Sequence, residues 1–256
     1  MQDKTQLGSV ELTVHSGVGT ITFFHPSHNS LPGNLLAKLT QTINEAGANE
    51  AIKVIVLQSA GERTFCAGAS FDELASIEDF QTGKQFFLGF ANVINACRKC
   101  PKLIIGRVQG KAVGGGVGVA SAVDYCFATK YASVKLSELA VGIGPFVVGP
   151  AVQRKVGLSA MSQMAINATT WQTANWAEAK GLYAEVFESA EAMDEAITTL
   201  TNKLIKSNPE AMHGLKKIFW EGTEDWDELL SKRAEMSGRL ILSDFAKNAI
   251  GKFKGK

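Results

Sequence analysis

The chain has 256 residues, enough to bury a large core as one domain or as a domain with an appendage. Its 26 lysines and arginines nearly balance 25 aspartates and glutamates, for a net charge of +1; with both signs spread along the chain there is no footprint for nucleic acid or an anionic membrane. The four cysteines are too few for a disulfide scaffold. No apolar stretch approaches the roughly 18 residues of a membrane span, and residues 1–6 carry no basic region leading into an apolar run, so the expected address is the cytoplasm.

In chain order, segments 10–14 and 20–24 alternate in the strand manner around Ser16-Gly17-Val18-Gly19 and predict a hairpin. A polar loop, His25-Pro26-Ser27-His28-Asn29-Ser30-Leu31, precedes a helix over 33–48 with Leu35, Leu36, Leu39 and Ile43 on one face. The continuous apolar run 54–57 reads as a strand covered on both faces. The loop 61–74 follows, small-residued from Cys66 to Ser70; Ser70 with Glu73 three residues on reads as a capping box at a helix start. A helical pattern over 82–100 ends on Cys97-Arg98-Lys99-Cys100. This is formally a CxxC, but it closes a helix where a redox motif opens one, so ordinary helix-end cysteines are expected.

Next come an apolar strand over 103–108 and Val108-Gln109-Gly110-Lys111-Ala112-Val113-Gly114-Gly115-Gly116-Val117-Gly118, leading into a small-residue helix over 117–123. The three glycines leave the Gly115 N–H approachable, and the following helix adds its positive dipole end. Such a turn stabilises phosphate, carboxylate or a developing enolate, or simply lets helix and strand pack closely. The pattern is neither GxGxxG nor a P-loop. Beyond it lie a strand at 125–128, Ser137-Glu138-Leu139, the glycine-punctuated turn 139–146, and helices after about residue 187, one opened by Asn208-Pro209 and another over 224–242.

Three pieces taken together, F-C-A-G-A-S at 65–70, G-G-G at 114–116 and S-E-L at 137–139, resemble in order and spacing the crotonase (enoyl-CoA hydratase/isomerase) superfamily. H-P-S-H-N-S-L near the start and T-A-N-W-A-E-A-K-G-L at 173–182 extend the likeness over nearly the whole chain. The resemblance implies an α/β fold, a spiral of β-β-α units over 1–195, with a helical oligomerisation region over 196–256 that drives homotrimers or hexamers. It implies an acyl-CoA substrate, with coenzyme A as part of that substrate and no separate cofactor or metal. The N–H groups of Ala69 and Gly115 would form an oxyanion hole for the thioester carbonyl, where a single donor is worth about 3 kcal/mol. Ala67 and Gly68 would border the coenzyme A, Ala67 near its adenine. Gly114, Pro145 and Phe146 would line the substrate site, and Phe253 and Lys256 would cover the coenzyme A of a neighbouring subunit.

One departure matters. A typical hydratase has two glutamates around its water, one of them two residues after the glycine triplet. This chain has Gly118 there and keeps Glu138 alone. Pro145-Phe146 resembles the corresponding loop of Δ3,Δ2-enoyl-CoA isomerases, which work with one glutamate. A single carboxylate suffices for a 1,3-proton shift, best with its pKa raised by an apolar pocket such as Phe146, Val147 and Leu139 would supply. Taken alone, a glutamate like Glu138 reads as a surface or capping residue. No second acid stands ready: Asp124 faces elsewhere, and His15, His25, His28 and His213 have no triad spacing. The expectation is a hydratase/isomerase-family enzyme acting by hydration or double-bond isomerisation. The alternatives are a methylglutaconyl-CoA-type hydratase, an acyl-CoA decarboxylase or a non-catalytic acyl-CoA-binding subunit. A Gly118→Glu variant that gained hydratase activity would support the single-base account.

Overall fold

Strands β1 (Ser9–His15) and β2 (Val18–Phe24) pair antiparallel with His15 opposite Val18. Ser16 and Gly17 alone make the turn, both at positive φ (48° and 85°). This tight turn matches the twist of the flanking strands, so β2 starts earlier than the alternation suggests. The computed structural model describes residues 7–254, with side chains through residue 252.

Helix α1 (Gly33–Ala48) has the expected bounds and buries Leu35, Leu36, Leu39 and Ile43, each contributing roughly 1.5–3 kcal/mol. Pro32 gives it no side-chain cap. The cap comes from a distant helix turn, where Glu73 Oε2 accepts the Gly33 N–H at 2.7 Å.

The chain then repeats one unit. Strands β3 (Val54–Ser59), β5 (Ile104–Val108), β7 (Tyr125–Thr129) and finally β9 (Glu185–Phe187) extend the hairpin into a six-stranded sheet of order β1-β2-β3-β5-β7-β9, parallel after its first pair. The strands between them, β4 (Thr64–Cys66), β6 (Lys111–Val113) and β8 (Val134–Lys135), build a separate three-stranded parallel sheet. Helices close each turn of the coil. These are α2 (Phe71–Ser76) and α3 (Phe80–Lys99), then α4 (Gly115–Ala122), then a 3-10 turn at Glu138–Val141 followed by α5 (Gly149–Ile166). This is the crotonase-type spiral of β-β-α units. The small-sheet strands escape sequence reading because two or three residues carry no period.

On the large sheet, Ile55 and Leu57 face the main core with α1 and α3. Val54 and Val56 face a second core with Met193 and Ile197 of α7 (Ala190–Leu204) and Met212 of α8 (Pro209–Phe219), as a strand covered on both faces requires. Helix α6 (Ala174–Ala179) precedes β9. Helix α9 (Trp226–Leu240) crosses α3 at a glycine pair: a Cβ at Gly238 would stand 2.7 Å from the Lys84 nitrogen. Helix α10 (Asp244–Lys254) lies over α2 and the 3-10 turn, where Gly142 leaves room for Phe245 and Ala246.

A buried polar hub ties these late helices to the spiral. Asp124 accepts from the Ile104 N–H (2.7 Å), Lys216 Nζ (2.7 Å) and Trp220 Nε1 (3.0 Å). Cys97 and Cys100 are buried nearby, and burial pushes the Cys97 thiol up to about 12 and the Cys100 thiol upward, so neither is a poised thiolate. Among the described residues no His, Cys, Asp and Glu cluster suits a metal, and no helix is long and apolar enough to cross a membrane.

Candidate active site

Two turns of the spiral meet at Gly68. Upstream, the Leu31 N–H donates to Gly68 O (2.8 Å) and the Ser70 N–H to Leu31 O (3.4 Å). The Ala69 N–H belongs to the same trans peptide as the Gly68 carbonyl and points the opposite way, so it faces away from Leu31. Asn29 holds the neighbouring loop, donating to Ala60 O (2.8 Å) and Thr64 O (2.9 Å). Gly68 sits at φ +86°, and a Cβ there would lie 2.7 Å from Val113 O and 3.3 Å from the Gly115 nitrogen. The 66–70 loop and the glycine turn are thus in direct contact.

Gly114 (φ 51°) is the N-cap of α4, so the helix starts at Gly115, two residues before the expected Val117. The Gly115 N–H is one of the four at a helix start with no intrahelical acceptor, and it lies at the positive dipole end. Neither following glycine tolerates a side chain: a Cβ would come within 2.2 Å of the Phe90 ring at Gly115 and 2.4 Å of Cys66 O at Gly116. Ser70 does cap α2 by accepting the Glu73 N–H (3.4 Å). The capping box is half formed, because the Ser70 N–H pairs with Leu31 and the Glu73 carboxylate reaches α1.

Glu138 opens the 3-10 turn and lays its carboxylate against the glycine turn, with Oε1 3.0 Å from where a Gly114 Cβ would be. Its Oε2 is fully buried and has no hydrogen-bond partner among the described residues. Burial raises the carboxyl from 4.5 to about 7, against the smaller opposing effect of a hydrogen bond from its own backbone.

Ala67, Gly68, Ala69, Gly114, Gly115, Glu138, Pro145 and Phe146 all line one cavity of about 60 Å³. Lys256 and the Phe253 side chain lie outside the described residues. Leu139 is a correction: it is half exposed and off the cavity wall, while Phe146, Val147 and Val148 supply the apolar surroundings. Glu138 is the only ionisable side chain on that wall among the described residues; Ser137 and Ser237 are its other polar groups.

Several wall residues were not anticipated from the sequence, among them Phe87 and Phe90 from α3, Ser237 from α9 and Val148 just before α5. Val148 matters most. A Cβ on Gly118 would lie 2.4 Å from Val148 Cγ1 and 2.7 Å from its Cβ. The place from which a second glutamate would project is filled by an isopropyl group. The expectation that Gly118→Glu by itself tests the single-base account is therefore corrected, because the new side chain has no room unless Val148 also changes.

The profile of the enoyl-CoA hydratase/isomerase family matches residues 13–255. The chain belongs to that family. It is an enzyme of hydratase/isomerase type in the crotonase superfamily. It is 27% identical over 251 residues to the short-chain-enoyl-CoA hydratase of Clostridium acetobutylicum, spanning 97% of this chain and 95% of that one. It is 24% identical over 269 residues to the peroxisomal Δ(3,5)-Δ(2,4)-dienoyl-CoA isomerase of Arabidopsis thaliana, over 98% and 94% of the two chains. The enoyl-CoA hydratase of Bacillus halodurans superposes with a TM-score of 0.87 over 95% of this chain and 99% of that one at 20% identity, a likeness of fold. Kinship to both a hydratase and an isomerase leaves the reaction to the residues in the cavity.

Proposed function

We propose that this family member moves a proton along the acyl chain of an acyl-CoA thioester, with Glu138 as its single acid/base, and so isomerises a double bond. The observation that carries this reading is the pairing of a Glu138 carboxylate whose buried Oε2 has no partner among the described residues with a Val148 side chain over Gly118. Glu138 takes a proton from C2 of a 3-enoyl thioester. The electron pair delocalises onto the thioester oxygen, which accepts hydrogen bonds from the Ala69 and Gly115 N–H groups. Glu138 returns the proton at C4, giving the 2-enoyl thioester with no co-reactant consumed. A carboxyl near pH 7 suits both halves of that exchange.

Hydration is the second reading, supported by the name of the Clostridium relative; it asks one carboxylate to handle the water alone. Decarboxylation and hydration of a carboxylated acyl group fit less well, because no cation borders the cavity among the described residues. A purely binding role leaves the raised carboxyl without use. The coenzyme A contacts at Ala67, Phe253 and Lys256 belong to the same proposal, as does assembly into trimers or hexamers. Leu215, Ile218 and Phe219, apolar and exposed on α8, favour a subunit contact.

The test is incubation in deuterated water with 3-enoyl, 2-enoyl and saturated acyl-CoA, following deuterium and product by mass spectrometry. Uptake with double-bond migration and no added water is expected. A water adduct would establish a hydratase, and binding without exchange would leave only the non-catalytic role.

A further inference from the structure

We propose that the cavity selects short, uncharged acyl chains of about four carbons, with Phe146 and Val148 setting the limit. This rests on reading the cavity as the acyl-CoA site.

Size is the first ground. The cavity of about 60 Å³ is less than half the roughly 150 Å³ that takes a benzene-sized guest, so it accepts only a few heavy atoms. The thioester carbonyl takes part of that space. Its walls also stand in close contact with the glycines behind them. Phe146 is folded over Gly144, where a Cβ would stand 2.4 Å from the ring, and Val148 is pressed onto Gly118 in α4. Phe90 rests on Gly115 on another side. In each case a glycine has given up its side chain so that a larger neighbour can occupy the space.

Charge is the second ground, and it is independent of size. Among the described residues no Lys, Arg or His borders the cavity, and its one ionisable group, Glu138, is an acid. A carboxylate on the acyl chain would lose its water without gaining a partner and would lie beside another carboxyl group. A neutral chain of the same length meets neither cost. The glutaconyl-type substrates that the sequence leaves open are thus disfavoured by the wall itself.

Binding of saturated acyl-CoAs, which needs no turnover, tests this. Calorimetry on the full chain would compare acetyl-, butyryl-, pentanoyl-, octanoyl-, decanoyl- and glutaryl-CoA. Affinity is expected to peak near butyryl-CoA and to fall at least tenfold by octanoyl-CoA, the discrimination that a single misfitting methylene already provides. Glutaryl-CoA should bind at least 100-fold more weakly than pentanoyl-CoA. Val148→Ala and Phe146→Ala should each move the optimum to longer chains without rescuing glutaryl-CoA. Equal affinity from butyryl to decanoyl, or glutaryl matching pentanoyl, would overturn the proposal, and the parent series alone decides it if a variant fails to fold. The deuterium assay separates the two claims: flat binding with exchange removes selectivity and keeps the chemistry, whereas graded binding without exchange does the reverse.

Discussion

Asp124 and Glu138 are both carboxylates shut away from solvent, and they are treated in opposite ways. Asp124 is given three donors, from Ile104, Lys216 and Trp220. Its ion pair with Lys216 leaves each side chain only 3% exposed. Glu138 is given an apolar wall and an oxygen with no partner. A buried charge held by an ion pair and two further donors fixes structure. One with a buried oxygen left unpaired is held near its neutral form and can exchange a proton at little cost. The difference separates scaffold from chemistry in a chain where residue type alone does not.

The comparison breaks first at Glu138. Glu138→Gln should lower isomerisation and deuterium exchange by about a hundred- to ten-thousandfold while calorimetry shows acyl-CoA affinity nearly unchanged; little loss of rate would remove Glu138 from the mechanism. Lys216→Ala makes the converse cut. It strands Asp124 and should cost about 3–5 kcal/mol in urea unfolding, with Asp124→Asn/Lys216→Met recovering most of that loss. Stability unmoved by Lys216→Ala would mean the hub does not hold α8.

A smaller effect sharpens the picture at the cavity wall. Gly118→Ala should overpack against Val148 and cost about 1–3 kcal/mol by chemical denaturation, and Val148→Ala in the same chain should relieve it. Additive losses in that double-mutant cycle would show that the two positions are not in contact.

The finest test is pH. The folded state holds the Glu138 proton to about 7, whereas the ordinary value is 4.5. The deprotonated form is the base, so kcat/KM on a 3-enoyl thioester should rise with pH, reach half its limit near 7 and level off about one unit above that. Between those two values the folded state binds more protons than the unfolded chain. The contribution of this group to stability is therefore full below 4.5 and is lost as pH rises through 7. Glu138→Gln, which does not titrate, should gain stability relative to the parent across that window. A constant difference between the two proteins would mean that the carboxyl is not raised.

Much of this was legible in order along the chain. The stripe Leu35, Leu36, Leu39 and Ile43 gave α1 its bounds, and the small residues at 66–70 and 114–116 marked both backbone donors, because small side chains at a turn are a local signal. Glu138 was legible only through its spacing from those loops. What the sequence hid is what lies on other turns of the spiral. Phe90 against Gly115, Val148 against Gly118 and Ser237 on the cavity wall are contacts that no local period encodes. The strands β4, β6 and β8 were hidden for a different reason, being too short to show alternation.

The contact between Gly118 and Val148 also constrains how this sequence can change. A path toward two carboxylates that begins with Gly118→Glu runs into the Val148 side chain. A path that begins by shrinking Val148 opens a hole in the wall before any new acid arrives. Both single steps are worse than the start, so the pair works as a ratchet, and a one-glutamate chain of this design stays one-glutamate unless both positions change together.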